Sequence, residues 1–272
     1  MNKIHLLDNG LINKIAAGEV VERPASVVKE LMENSIDAGA TSITVEIAEG
    51  GTSVIKITDN GKGIPKDEIR TAFMRHATSK IDSFEDLENV LTLGFRGEAL
   101  SSIASVAQVE MLTRTENDSM GTRIVINGGV VDREEECAAN VGTVFYVKNI
   151  FFNTPARRKF LKKPATEGSY ISEIVNRIAL GHPNIAIKYI NNGNIVLQTI
   201  GDGNVKNSLF YIYGKDIASK MLNLESEKEG YILKGLVGKP ELSRGNRNYE
   251  NFFINGRFIK STLVQNAVED AY

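Results

Sequence analysis

The sequence predicts an α/β protein of two domains, and three observations carry that expectation. Helical and strand periodicities alternate through the first 200 residues. Hairpin patterns with Gly- or Asn-rich turns occur near both ends of that stretch, at 42–58 and 185–200. After Gly201-Asp202-Gly203-Asn204 the apolar pattern restarts, so the boundary is placed there. The expected domains are 1–200, an α/β layer with a mixed sheet, and 201–272, a smaller α/β domain that reads as truncated because it stops inside a helical pattern.

In order, residues 11–21 read as a helix, and 25–38 as a second helix with Pro24 at its first turn, where a missing N–H is harmless. Segments 42–48 and 53–58 alternate apolar and polar residues around Glu49-Gly50-Gly51-Thr52, the pattern of a hairpin. A helix follows Gly97, with small and apolar residues through Ala104. Strand patterns recur at 106–113, 122–126, 130–133 and 143–147. Ile171, Ile174, Val175 and Ile178 give helical spacing to 166–180, which ends near Gly181 and Pro183. Strands at 185–190 and 195–200 flank Asn191-Asn192-Gly193-Asn194. Beyond the boundary, 208–213 and 216–222 read as helical or mixed, 231–237 and 249–254 as strands, and 261–271 as a helix.

Composition limits the function classes. An apolar content of 42% in 272 residues is ample for buried cores. Cys137 is the single cysteine, which excludes an internal disulfide or a multi-thiolate metal centre and fits a reducing compartment. His5, His76 and His182 lack metal spacing. The chain shows no basic-apolar leader and no apolar run of ~18 residues, so a cytoplasmic protein without membrane contact is expected. The net charge of −2 is unevenly spread: −8 over 1–150, +5 over 151–200 and +1 over the rest. Arg157-Arg158-Lys159 and Lys162-Lys163 supply most of the central cations. Their density suits phosphate backbones and equally a solvated turn.

The chemistry concentrates in three segments. In Glu30-Leu31-Met32-Glu33-Asn34-Ser35-Ile36-Asp37-Ala38, Glu30 and Asn34 stand four apart, so on a helix they return to within roughly 40° of one face. A carboxylate can take a proton from water, and a carboxamide oxygen is a hard ligand for Mg²⁺. That pairing suits hydrolysis of a phosphoanhydride. Next, the alternating run 54–58 delivers Asp59 to a strand end, where the carboxylate can accept from an exocyclic amine such as adenine N6. Gly61 and Gly63 follow, in Asp59-Asn60-Gly61-Lys62-Gly63-Ile64, and permit close backbone approach. Finally, Leu93-Gly94-Phe95-Arg96-Gly97-Glu98-Ala99-Leu100 puts glycines and free N–H groups just before a helix, a setting for a polyphosphate. Upstream, Arg75-His76-Ala77-Thr78-Ser79-Lys80 offers hydroxyls and cations for a lid, and Gly142-Thr143 can set a hydroxyl beside Asp59. Neither a Walker pattern nor a protein-kinase motif set is present.

Four motifs in this order resemble the GHKL ATPase superfamily and its Bergerat nucleotide fold. Within it, the chain resembles the MutL family of DNA mismatch-repair ATPases. The narrower likeness rests on 15–26 (Ile-Ala-Ala-Gly-Glu-Val-Val-Glu-Arg-Pro-Ala-Ser), on 76–81 (His-Ala-Thr-Ser-Lys-Ile), on 94–100, and on 152–161 (Phe-Asn-Thr-Pro-Ala-Arg-Arg-Lys-Phe-Leu). The resemblance implies a Bergerat-type α/β sandwich and roles residue by residue. Glu30 is the general base, Asn34 holds Mg²⁺ against the phosphates, and Asp59 reads the adenine amine. Gly61, Gly63 and Ile64 make room for base and sugar, and Thr143 supports adenine through water. Thr78, Ser79 and Lys80, with Leu93, Gly94, Phe95, Arg96, Gly97, Glu98, Ala99 and Leu100, close over the triphosphate, and Asp37 belongs to the same cofactor-binding set. By itself Glu98 reads as a capping or dipole partner of its helix, Glu33 as solvent-facing or turned to a neighbouring helix, and His76 as a structural hydrogen-bonding residue.

The activity so implied is a slow, Mg²⁺-dependent ATPase acting as a nucleotide-gated switch. Its implied partners are a second subunit, paired in a nucleotide-dependent homodimer through the amino-terminal arm, together with DNA, a mismatch-recognition protein and other repair proteins. A second function stays open: a catalytically idle DNA- or partner-binding fragment. The chain stops at Tyr272, ahead of the family's later lysine that reaches the terminal phosphate, a cation whose charge lowers the barrier to phosphoryl transfer.

Overall fold

Helix α1 (Pro24–Asp37) starts at the proline that the sequence places in its first turn, and one face of it buries Val27, Val28, Leu31, Met32 and Ser35. The computed structural model describes residues 17–18, 20–80, 92–94 and 97–271. The expected helix 11–21 lies mostly outside the described residues; Ala17, Gly18 and Val20 are helical, and the Val21 N–H donates to Ala17 O at 2.8 Å. After α1 come β1 (Ser42–Ala48), β2 (Val54–Asp59), a single turn α2 (Ile69–Ala72) and α3 (Ala99–Val106). β3 (Gln108–Arg114), β4 (Gly121–Asn127), β5 (Val130–Cys137) and β6 (Gly142–Lys148) follow. Then come α4 (Pro155–Phe160), α5 (Pro164–Gly181), β7 (Ala186–Asn191) and β8 (Asn194–Gln198). The remainder holds α6 (Val205–Tyr213), α7 (Lys215–Ser219), β9 (Met221–Lys228), β10 (Tyr231–Gly238), β11 (Phe252–Ile254), β12 (Arg257–Ile259) and α8 (Thr262–Ala271).

Eight strands form one sheet in the order β5-β4-β3-β6-β2-β1-β7-β8. The neighbours from β5 to β1 pair antiparallel. Asn192, just past β7, donates its N–H to Ile47 O near the end of β1 at 2.9 Å, so these two strands run parallel and the sheet is mixed, as expected. Register aligns apolar residues in rows across the core face. Ile55, Val147, Val109 and Ile126 are successive partners in one row, and Ile57, Phe145, Met111 and Ile124 in the next. Helix α1 lies on β1 and β2, and α3 on β3 and β4. Burying each large aliphatic side chain here is worth roughly 1.5–3 kcal/mol. The other face is polar: Lys56 bonds Glu46 at 2.6 Å, and Glu110 accepts from Arg123 at 2.8 Å and Lys148 at 3.0 Å.

By contact density the chain forms two units, residues 1–175 with 188–196, and residues 176–187 with 197–272. In the second, Leu180, Leu209 and Ala218 form a small core with Ile212, Ile217, Met221, Leu236 and Phe253. Here the strand pattern was only partly expected. Residues 216–222 break into α7 and the start of β9, whose alternation of apolar and acidic residues runs on to Lys228 in a solvent-exposed hairpin with β10. Strand β12 pairs with β11 across Asn255-Gly256, and α4 forms where the sequence suggests a turn. No helix of the described residues is long and apolar enough to cross a membrane.

Candidate nucleotide site

The two apolar rows end in a polar one. Asp59 on β2 pairs with Thr143 on β6, Thr143 with Thr113 on β3, and Thr113 with Thr122 on β4, all four in the core-facing phase of their strands and buried. Asp59 Oδ2 accepts from the Ser35 hydroxyl at 2.8 Å, while Oδ1 accepts from the Gly61 N–H at 2.9 Å and the Thr143 N–H at 3.3 Å. Burial pushes the Asp59 carboxyl above the usual carboxylate range, and the three donors only partly oppose it. It is thus the main-chain N–H of Thr143 that Asp59 meets. The Thr143 hydroxyl lies 3.1 Å from Thr113 Oγ1, which also accepts the Ile64 N–H at 2.9 Å. Gly61 packs on Ala38, and Gly63 turns with φ +72° against the Arg114 carbonyl, where a Cβ would collide.

A second cluster gathers on the opposite side of the α1 carboxyl end. Lys80 Nζ lies 3.0 Å from Asn34 Oδ1 and 2.6 Å from Asp37 Oδ2. The same Asp37 carboxylate accepts the N–H groups of Leu93 at 3.0 Å and Gly94 at 3.1 Å. Thr78 Oγ1 accepts the Lys80 N–H at 3.2 Å, and Ser79 is exposed. Glu98 precedes α3, and Ala99 and Leu100, both half-buried, begin it. Phe95 and Arg96 lie outside the described residues.

Glu30 projects near this cluster on a half-buried side chain and is paired at 3.0 Å with the Lys29 ammonium, which also holds Glu33 at 2.9 Å. Burial pulls the Lys29 pKa down, yet the two carboxylates outweigh it and the shift is upward. Two expectations are narrowed here. Glu33 does not face solvent; its side chain is 14% exposed and paired with Lys29. The Glu98 side chain makes no capping bond, its carboxylate lying instead 3.3 Å from His76 Nδ1 and 3.7 Å from Arg75 Nη2.

Among the described residues, no group of three or more His, Cys, Asp or Glu could hold a metal ion. Asn34 Oδ1 and Asp37 Oδ2 nevertheless converge on a cation, the Lys80 ammonium, so this corner has the oxygen donors that a hard cation needs once phosphate oxygens complete its shell. Sequence reasoning missed Ser35 and Thr113. Ser35 follows Asn34 and faces the sheet; Thr113 is betrayed only by its phase with Val109 and Met111. A cavity of about 320 Å³ lined by Thr44, Thr58, Leu112 and Val144 also takes in Asp59 and Thr143, so it adjoins the polar row; none of the Asp37 cluster lines it.

Two family models match the chain. One, described as Histidine kinase-, DNA gyrase B-, and HSP90-like ATPase, covers residues 22–141, which hold the Asp37 cluster and all of the polar row but Thr143. The other, described as DNA mismatch repair protein, C-terminal domain, covers 209–272. Fold and site together define a GHKL-type nucleotide-binding domain. The chain is 56% identical over its full 272 residues to the DNA mismatch repair protein MutL of Agathobacter rectalis, covering 42% of that protein. It is 50% identical to MutL of Caldanaerobacter subterraneus subsp. tengcongensis, covering 46%. The Aquifex aeolicus MutL ATPase domain complexed with ADP superposes with a TM-score of 0.73 at 29% identity, over 93% of this chain and 89% of that one. The chain belongs to the MutL family of DNA mismatch-repair proteins and spans less than half the length of these curated relatives.

Proposed function

We propose that the chain binds ATP with Mg²⁺ between the polar row and the Asp37 cluster and hydrolyses it slowly, as the nucleotide-gated switch of a mismatch-repair protein. The observation that carries this reading is Asp59. It is a buried carboxylate at a strand end, fixed by Ser35, Gly61 and Thr143, and Oδ2 retains acceptor capacity for an amine N–H of adenine. The ADP in the Aquifex aeolicus relative supports an adenine nucleotide.

Asp59 orients the base, and Lys80 receives the phosphates. Asn34 would hold Mg²⁺, which would supply positive charge against the phosphates. Glu30 accepts the proton of the attacking water. Glycine-bordered loops that order on the triphosphate would expose a surface for a second subunit, for DNA, or for a mismatch-recognition protein and other repair proteins. The two separate family-model matches support a boundary near residue 200.

A second reading, binding without turnover, is favoured by the Lys29 ammonium 3.0 Å from Glu30, which occupies an oxygen of that carboxylate. Glu30→Gln distinguishes the two: under the first reading hydrolysis falls by at least about a hundredfold while binding of a non-hydrolysable ATP analogue holds. Equal turnover by both proteins rejects Glu30 as the base, and absent turnover in the parent chain selects the second reading.

A further inference from the structure

We propose that Asp37 is the positioning residue that ties the 93–94 backbone and Lys80 to the end of α1, acting on nucleotide through the Lys80 ammonium and not by touching it. The inference rests on the nucleotide reading above and deepens it. The Asp37 side chain is 8% exposed, and its partners come from two segments far along the chain. Lys80 is 43 residues away, and Leu93 and Gly94 are 56 and 57. With a charged donor at 2.6 Å on Oδ2 and main-chain donors on both oxygens, one carboxylate at the end of a rigid helix fixes a cation and a stretch of backbone amides relative to each other.

The two segments also meet without Asp37. Gly97, at φ +64°, lies so close to Ala77 that a Cβ would sit 2.6 Å from its carbonyl oxygen, and Glu98 reaches Arg75 and His76. The loops therefore pack as one body, and Asp37 ties that body to α1. A carboxylate in that place repels phosphate if left bare. Engaged by three donors it becomes a strut, and the Lys80 ammonium, with two hydrogens on Asn34 and Asp37, keeps its third for the ligand.

The consequence is a split between the two ends of the nucleotide. Asp37→Asn keeps the shape and removes the charge that holds Lys80, so affinity for a non-hydrolysable ATP analogue with Mg²⁺ is expected to fall roughly tenfold. Affinity for AMP, measured by competition on the same protein, is expected to stay within about twofold, because Asp59 and its donors are untouched. Adding Lys80→Met to Asp37→Asn is expected to cost little more than the worse single change, since both act on one contact. Equal losses for AMP and analogue make Asp37 a folding residue only and overturn the inference. Unchanged or tighter analogue binding overturns it as well, the latter marking the carboxylate as a competitor of phosphate. A parent chain that binds neither ligand removes the nucleotide reading itself, and a parent and an Asp37→Asn variant that bind both ligands equally well remove only the role of Asp37.

Discussion

Asp59 and Asp37 are both carboxylates held by three donors beside the same helix, yet they are built in opposite ways. Asp59 stands in a sheet row, and its donors are a helix hydroxyl and backbone N–H groups placed by strand register and a tight turn. Asp37 is held by a long flexible lysine and by loop amides more than fifty residues away. In the proposed site the base end would thus be fixed by the fold itself, and the phosphate end assembled from ionic and loop contacts. Charge that is neutralised by mobile groups is the part of a site that salt, substitution and ligand can rearrange.

The sharpest way to break this comparison is Asp59→Asn, for which we expect adenine-nucleotide affinity to fall roughly a hundredfold in equilibrium titrations, as for a lost charged hydrogen bond in a buried site. The same substitution should raise thermal stability at neutral pH. Because burial raises the Asp59 pKa, the folded state takes up its proton more readily than the unfolded chain. The contribution to stability is present below the ordinary carboxylate pKa and is lost as pH rises through the raised folded value. A melting-temperature difference between variant and parent should therefore widen from acid to neutral pH; a constant difference argues against this account. Next in size is Ser35→Ala, expected to weaken nucleotide binding about tenfold by removing one donor to that carboxylate, with little effect on salt sensitivity.

Raising ionic strength to ~0.5 M should then weaken the triphosphate analogue several-fold while AMP shifts less, as the phosphate end is the more screened. Equal salt dependence for the two ligands would contradict the division of the site. The smallest change is expected from Lys29→Met. Its side chain is 44% exposed, so releasing Glu30 should raise the hydrolysis rate at most about threefold without altering analogue affinity, as stopped assays under saturating ATP can test.

Much of this was readable beforehand because it depends on short spacings. The four-residue step from Glu30 to Asn34, the strand that ends in Asp59 and the glycines about Phe95-Arg96 are local patterns, and helix α1 and hairpin β1–β2 follow from periodicity alone. Thr113 escaped because its relation to Thr143 and Ile64 exists only through strand register, 30 and 49 residues away. Of the capping and dipole roles open to Glu98, the capping bond is absent because the partners of its carboxylate, Arg75 and His76, come from a segment more than twenty residues earlier. In the second unit, β9 was missed because an exposed strand can alternate Leu222 and Leu224 with Glu225 and Glu227 without any buried face to enforce a pattern.

Helix α1 also behaves as a ruler. Glu30 and Asp37 are seven residues and so about 10 Å apart along its axis, with Ser35 turned to the sheet between them. Deleting one residue between Leu31 and Ser35 would shorten that span by about 1.5 Å and wind everything beyond it through about 100°, which no change of rotamer restores. Asn34, Ser35 and Asp37 would then all point at the wrong neighbours together. Side chains along the helix can be exchanged one at a time, but its length admits no drift.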